Sequence, residues 1–327
     1  MVLAAFSRLV GQRQAVELLS SAIAQERIAP AYLFVGPAGV GRSLAARGFL
    51  ESLIAPLGVA DTAVSAQQQR LLGQNRLRQG NHADVLWVEP TYLHQGKRLP
   101  ISEVSATDPQ RPRSRPQIRI EQVREITRFL SRPPLMAPRA VVVLEQAETL
   151  SEAAANGLLK TLEEPGQATL ILLAESAAAL LPTLVSRCQQ IPFRRLTLAQ
   201  MAQVLEPSGY AEVLSLPQVM AMAQGSPGEA IRGWQQLQAI PAELLQAVSQ
   251  IPHSPRSALE IARQIDADLD RDMQLWLVDY LQHHYWQQHL QPGLLQQLEQ
   301  TRQYLLTYAQ PRLVWEVTLL AMGKVSA

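Results

Sequence analysis

Apolar residues in the first part of the chain follow two alternating rhythms. Short unbroken runs, Ala31–Val35, Ala140–Leu144 and Ala168–Ala174, are rich in Val, Leu and Ile. Runs of this kind fit strands buried on both faces of a parallel sheet. Residues 83–89 read as a further strand, stopped by Pro90, and residues 188–192 as a short one. Between these runs the apolar positions recur at helical spacing. Val16, Leu18, Leu19 and Ile23 give a helix before the first strand, and Leu44 lies in one that runs to about Leu53. Ile120, Val123, Ile126 and Leu130 share one helical face, which Pro133, Pro134 and Pro138 bring to an end. A further helix covers residues 153–162, before Pro165. Strands alternating with helices predict an α/β fold: a parallel sheet with helices on both faces.

After Pro192 the strand rhythm stops. The rest of the chain is helical, broken near Pro207, Gly225, Pro241, Pro252, Pro292 and Pro311. The pattern predicts three domains: residues 1–195 with the sheet, a small helical domain at 196–236, and a helical bundle at 237–327. Residues 55–80 and 91–116 carry little regular pattern. The second stretch holds Arg111, Arg113 and Arg115 between prolines. We expect a solvated mobile loop there in preference to a DNA-binding segment.

Composition narrows the class. At 327 residues, 47% hydrophobic, the chain can bury a sizeable core in two or three domains. A net charge of +1 argues against a dedicated polyanion binder, although a local basic surface is compatible with it. Only Lys97, Lys160 and Lys324 are lysines; the other basic side chains are arginines. A single cysteine, Cys188, leaves no disulfide framework. No N-terminal stretch has the pattern of an export signal, and no apolar run reaches the roughly 18 residues of a membrane span. We therefore expect a soluble cytoplasmic chain without membrane contact.

The first strand leads into Gly36-Pro-Ala-Gly-Val-Gly-Arg-Ser43, and a helix comes next. This is the phosphate-binding loop G-x-x-x-x-G-K-[ST] at every fixed position but one. Gly36, Gly39, Gly41 and Ser43 suit a backbone cradle for phosphates. Arg42 stands in place of the lysine. It keeps the charge but is larger, planar and differently aimed.

Three further features occur in order. Residues 139–150 place an apolar strand ending Leu144-Glu145-Gln146 where a metal-organising acidic pair would lie. Next comes Asn156-Gly-Leu-Leu-Lys-Thr-Leu-Glu-Glu-Pro165, and then Ser186-Arg187-Cys188. With Leu9-Val-Gly-Gln12, Gly225-Ser-Pro-Gly228 and residues 311–316, this resembles the bacterial DNA polymerase III clamp loader, a branch of the AAA+ proteins, over nearly the whole chain. Within that family the resemblance is to the delta-prime type more than to the ATP-hydrolysing γ/τ type. Glu145 replaces the metal-binding Asp, and the amide of Gln146 cannot serve as the catalytic base. Glu148, two residues on, is expected to face elsewhere. Glu175 occupies the point where hydrolysing members sense the γ-phosphate, and Gly228 stands where they carry a lid arginine.

The resemblance implies a three-domain AAA+ subunit with a degenerate nucleotide site at Gly36, Gly39, Gly41, Arg42, Ser43, Glu145 and Gln146. It implies that Arg187 acts as an arginine finger in the ATP site of a neighbouring subunit; a helix-capping arginine is the structural alternative. Cys188 is expected to be a small buried residue. The implied partners are γ/τ and delta subunits, the β sliding clamp, and primer-template DNA through the assembly at the replisome. No cofactor is then required by this chain, with ATP and Mg²⁺ on the partner; residual nucleotide binding is compatible with the same residues. Many relatives carry four zinc-binding cysteines after the phosphate-loop helix. Residues 55–82 have none, and His283, His284 and His289 lack the spacing of a metal pair, so no metal is expected. The C-terminal helices are expected to pack as a collar. The competing readings are an active γ/τ-type ATPase and, less well supported, a P-loop small-molecule kinase.

Overall fold

The computed structural model describes residues 5–54, 80–94, 96–104, 115–164, 166–288, 292–307 and 309–325. The Gln-rich stretch at 55–79, Arg111, Arg113 and His289 lie outside these residues. The chain divides into two compact units, Met1–Gln200 and Met201–Ala327.

The first unit opens with helix α1 (Arg13–Ala24), strand β1 (Ala31–Val35) and helix α2 (Arg42–Leu53). Strands β2 (Val85–Val88), β3 (Thr91–His94) and β4 (Lys97–Pro100) come next, then helix α3 (Ile120–Leu130), β5 (Ala140–Leu144) and α4 (Glu152–Glu163). Strand β6 (Ala168–Ala174), the short helix α5 (Pro182–Val185) and β7 (Gln189–Pro192) complete it. Five strands form one sheet in the order β2-β5-β6-β1-β7. Every neighbouring pair in it is parallel.

Alternation along β1 explains the two covered faces. Ala31 and Leu33 join Val142, Leu144, Leu170 and Leu172 beneath Val123, Ile126, Ala154 and Leu158 of α3 and α4. Tyr32 and Phe34 point the other way, onto Phe49 of α2, with ring centroids 5.0 and 6.5 Å apart. Both sides of the sheet are therefore apolar, and its strands read as continuous hydrophobic runs.

Two expectations need correction. Residues 91–104 do carry regular structure, because β3 and β4 pair antiparallel, with Gly96 at φ +76° in the turn between them. Among the described residues of this hairpin only Thr91 and Tyr92 are buried, so its alternation barely registers in the sequence. In α1 the fully covered residues are Ala15, Leu19 and Ala22, while Val16, Leu18 and Ile23 are half-buried. The small alanines let the helix approach its neighbours closely.

Helix α6 (Leu198–Leu205) carries the chain from one unit into the other. The second unit continues with α7 (Pro217–Ala223), α8 (Pro227–Ala239), α9 (Ala242–Val248) and α10 (Pro255–Asp268). Helices α11 (Arg271–Gln288), α12 (Pro292–Leu306) and α13 (Pro311–Val325) complete it. Position 236, where the sequence suggested a domain end, lies inside α8. Among the described residues the largest fully buried side chain is Trp315, whose Nε1–H donates to Gln274 Oε1 at 3.0 Å. Gln274 in turn donates to Leu269 O at 2.9 Å, so the indole is satisfied inside an apolar core. Among the described residues no helix is long and apolar enough to cross a membrane.

Candidate functional site

The glycine loop leaves the C-terminal end of β1 and enters α2 at Arg42, the first helical residue. Gly36 N donates to Ala174 O at 3.2 Å. A Cβ on Gly36 would sit 2.4 Å from Phe193 O, so only glycine fits between the two backbones. Gly41 takes φ +107° immediately before the helix, a conformation that suits glycine alone. Gln12 braces the loop from behind. Its Nε2–H donates to Val40 O at 3.2 Å and to Arg194 O at 2.7 Å, and its Oε1 accepts from Arg194 N at 2.9 Å.

Arg42 is not displayed to solvent. Its side chain is buried, and its Nη1 has no hydrogen-bond partner. Burial pushes its pKa down, and the charges of Glu148, Glu175 and Glu145 push it back up. Glu148 is thus part of the site, contrary to the expectation that it faces elsewhere. The cause is local: Gln146 takes the left-handed φ of +48°, and residues 147–149 then form a 3-10 turn that carries Glu148 back towards the loop. Burial raises the Glu148 carboxyl above its ordinary range; Arg42 opposes that shift and Glu175 adds to it. Its Oε2 is buried without a partner.

The other expected residues fall around this core. Glu145 is half-buried, Gln146 and Glu175 are exposed, and Ser43 is half-buried in the first turn of α2. The charges of three carboxylates therefore act on one buried guanidinium. The Gln146 carboxamide is not a base.

Arg187 lies elsewhere. Strand β7 pairs with β1 so that Tyr32 faces Gln189 and Val35 faces Pro192. Arg187 precedes β7 and so belongs to the N-terminal end of the sheet. The glycine loop belongs to the C-terminal end, about 20 Å away at roughly 3.3 Å per strand residue. Arg187 Nη1 donates to Thr183 O at 3.0 Å, and its Nη2 lies 2.7 Å from Glu163 Oε1. The side chain is 37% exposed. The capping contact weighed in the sequence is therefore present, together with an ion pair that the sequence did not suggest. Cys188, expected to be buried, is half-buried, and its thiol is pushed up to about 11 by desolvation.

Two buried polar side chains, Asp84 and Gln12, hold main-chain groups far away in sequence. The sequence marked Gln12 only as the end of the motif at residues 9–12, and no local pattern announces the partners of either residue.

The parallel sheet, the glycine loop at the C-terminal ends of its strands and the helical unit that follows in the chain define the AAA+ class of nucleotide-binding folds. Comparison with known proteins specifies the branch. The sequence family described as "DNA polymerase III, delta subunit" matches residues 11–197. That described as "Cyanobacterial DNA polymerase III delta prime, C-terminal domain" matches residues 199–322. The chain belongs to the delta-prime family of DNA polymerase III clamp-loader subunits. It is 33% identical over 209 residues to DNA polymerase III subunit delta' of Pseudomonas aeruginosa, covering 62% of this chain and 55% of that one. It is 29% identical over 186 residues to the Bacillus subtilis subunit delta', covering 57% and 48% respectively. The matched stretch thus spans about half the length of these relatives. A DNA polymerase III gamma subunit-related protein from Thermotoga maritima shares the fold at 17% identity. That match has a TM-score of 0.55 and covers 95% of this chain and 99% of that one.

Proposed function

We propose that this chain is the non-hydrolysing delta-prime subunit of a clamp loader, and that it donates Arg187 to the ATP site of a neighbouring γ/τ subunit. The observation that carries this reading is the placement of two arginines. Arg42, in the loop, is buried, and the charges of Glu148, Glu175 and Glu145 act on it. Arg187 is exposed at the opposite end of the sheet, beyond reach of its own loop. An arginine so placed can serve phosphate only in trans. There it would stabilise charge on the transferring phosphoryl group, a contribution of about 10³–10⁵ in rate at one site.

On this reading ATP and Mg²⁺ are held by the partner, and this chain needs no cofactor or metal of its own. It acts in the cytoplasm, at the replisome. With the γ/τ and delta subunits it opens the β sliding clamp and closes it on primed DNA. The second unit offers a surface for subunit packing: Leu313 and Val317, one turn apart on α13, are more than half exposed.

Reconstitution with γ/τ and delta subunits tests the proposal. The isolated chain should turn over no Mg-ATP above background. Arg187→Ala should leave melting and assembly intact while the clamp- and DNA-stimulated ATPase of the complex falls. Turnover by the isolated chain that Ser43→Ala abolishes would restore the γ/τ reading. Unchanged ATPase per assembled Arg187→Ala complex, with a lowered melting temperature, would reduce Arg187 to a helix cap.

A further inference from the structure

The partner of Arg187 inside its own subunit carries a second assignment. We infer that Glu163 is a positioning residue, which holds the Arg187 guanidinium in the orientation it presents to the neighbouring subunit. The inference rests on the reading of Arg187 as a finger in trans.

Glu163 is the last residue of α4. That helix is anchored at its start by Ser151, which accepts from Ala154 N, and along its length by buried Ala154, Ala155, Leu158 and Leu162. Its end is therefore a fixed point. Arg187 comes just after α5, a single helical turn, and would otherwise be a long side chain free to rotate at the surface. Two acceptors restrain it: Glu163 Oε1 takes Nη2 at 2.7 Å, and Thr183 O takes Nη1 at 3.0 Å. They come from different elements and hold different nitrogens, so together they fix the plane of the group as well as its position.

The donor inventory leaves room for a further ligand. A guanidinium carries five N–H donors. The two contacts use one on each terminal nitrogen, and the remaining three stay available to an incoming anion. A planar fork fixed in advance loses less rotamer freedom on engaging phosphate than a free one. Stability alone is a weak reason for the pair, because both side chains are well exposed, Arg187 at 37% and Glu163 at 51%, and exposed ion pairs contribute little to folding. The two-point geometry is what a positioning role requires and a weak surface contact does not.

The test uses the complete complex with γ/τ and delta subunits, the clamp and primed DNA. It compares wild type, Glu163→Ala, Glu163→Gln, Arg187→Ala and the double variant Glu163→Ala/Arg187→Ala. Glu163→Ala should lower kcat about threefold, the size of one modest contact made in the transition state, with KM for ATP little changed. Glu163→Gln keeps an acceptor oxygen and should recover part of the loss. The double variant should be no slower than Arg187→Ala alone, because Glu163 acts only through that arginine. Melting temperature and assembled fraction should stay at wild-type values. If Arg187→Ala costs activity while Glu163→Ala matches or exceeds wild type, the finger stands and the positioning role is overturned. Additive losses in the double variant overturn it as well. If Arg187→Ala costs nothing, the finger reading and this inference fall together.

Discussion

Replacing Asp84 tests how a buried carboxylate holds the edge of the sheet. Its side chain is 3% exposed and sits just before β2. Oδ1 accepts from Leu135 N at 2.6 Å, and Oδ2 accepts from Met136 N and Ala137 N at 2.7 Å each. One carboxylate thus ties down the turn that leads into β5, the strand beside β2. Asp84→Asn puts an NH₂ group where one of these oxygens was. If it replaces Oδ2, two bonds are lost and donors face donors. Hydrogen bonds to charged groups contribute about 1.5–3 kcal/mol each. The turn is open to water, with Leu135 80% exposed, so the lower end of that range applies. The expected loss is then about 3 kcal/mol for two bonds. In a unit of this size each kcal/mol moves Tm by about 2–4 °C, which gives a fall of roughly 6–12 °C. Thermal unfolding followed by circular dichroism measures it, and hydrogen exchange at the three amides reports whether the turn itself opens. A fall below about 2 °C with those amides still protected would refute the reasoning, since the carboxylate would then contribute no more than an ordinary surface contact.

Two other groups give predictions with definite signs. The Glu148 carboxyl is raised by burial, so the folded state holds its proton more tightly than the unfolded chain; its contribution to stability is full below the ordinary carboxylate range and is lost as pH rises through the raised value. Glu148→Gln should therefore gain stability over wild type near pH 7 and none at pH ~3, below the ordinary carboxylate range, where the carboxyl holds its proton in both states; urea unfolding at the two pH values checks it, and an equal gain at both would contradict the assignment. Cys188, pushed up to about 11, should react with a thiol reagent at pH 8 roughly 100-fold more slowly than free cysteine, and at the free rate once unfolded in denaturant. A native rate equal to the unfolded rate would show an accessible, unperturbed thiol.

The sequence was informative where one local cause dominates. β1, β5 and β6 are fully apolar runs, and α3 carries a regular apolar face; each occupies the residues that its pattern marks. The β3–β4 hairpin escaped notice because it is short and mostly exposed, which leaves almost no period-2 signal. In the candidate site, the residue types that depart from the phosphate-loop pattern were legible, but not where their side chains lie. Glu148 turns inward because of one left-handed residue, Gln146, whose conformation no composition rule fixes. The contacts of Asp84 cross 51 to 53 residues, and that between Arg187 and Glu163 crosses 24. Tertiary pairings of this kind depend on how the sheet is ordered, and periodicity carries no record of it.

The brace formed by Gln12 has a thermodynamic consequence. A protein that relies on a bound molecule to shape a loop draws stability from that molecule by mass action, and its melting point tracks the ligand's concentration. Here the carboxamide of Gln12 bonds both Val40, in the loop, and Arg194, 182 residues beyond Gln12 itself, so part of the loop's shape is held from within the chain at a fixed effective concentration. That share of the restraint does not vary with the concentration of any small molecule.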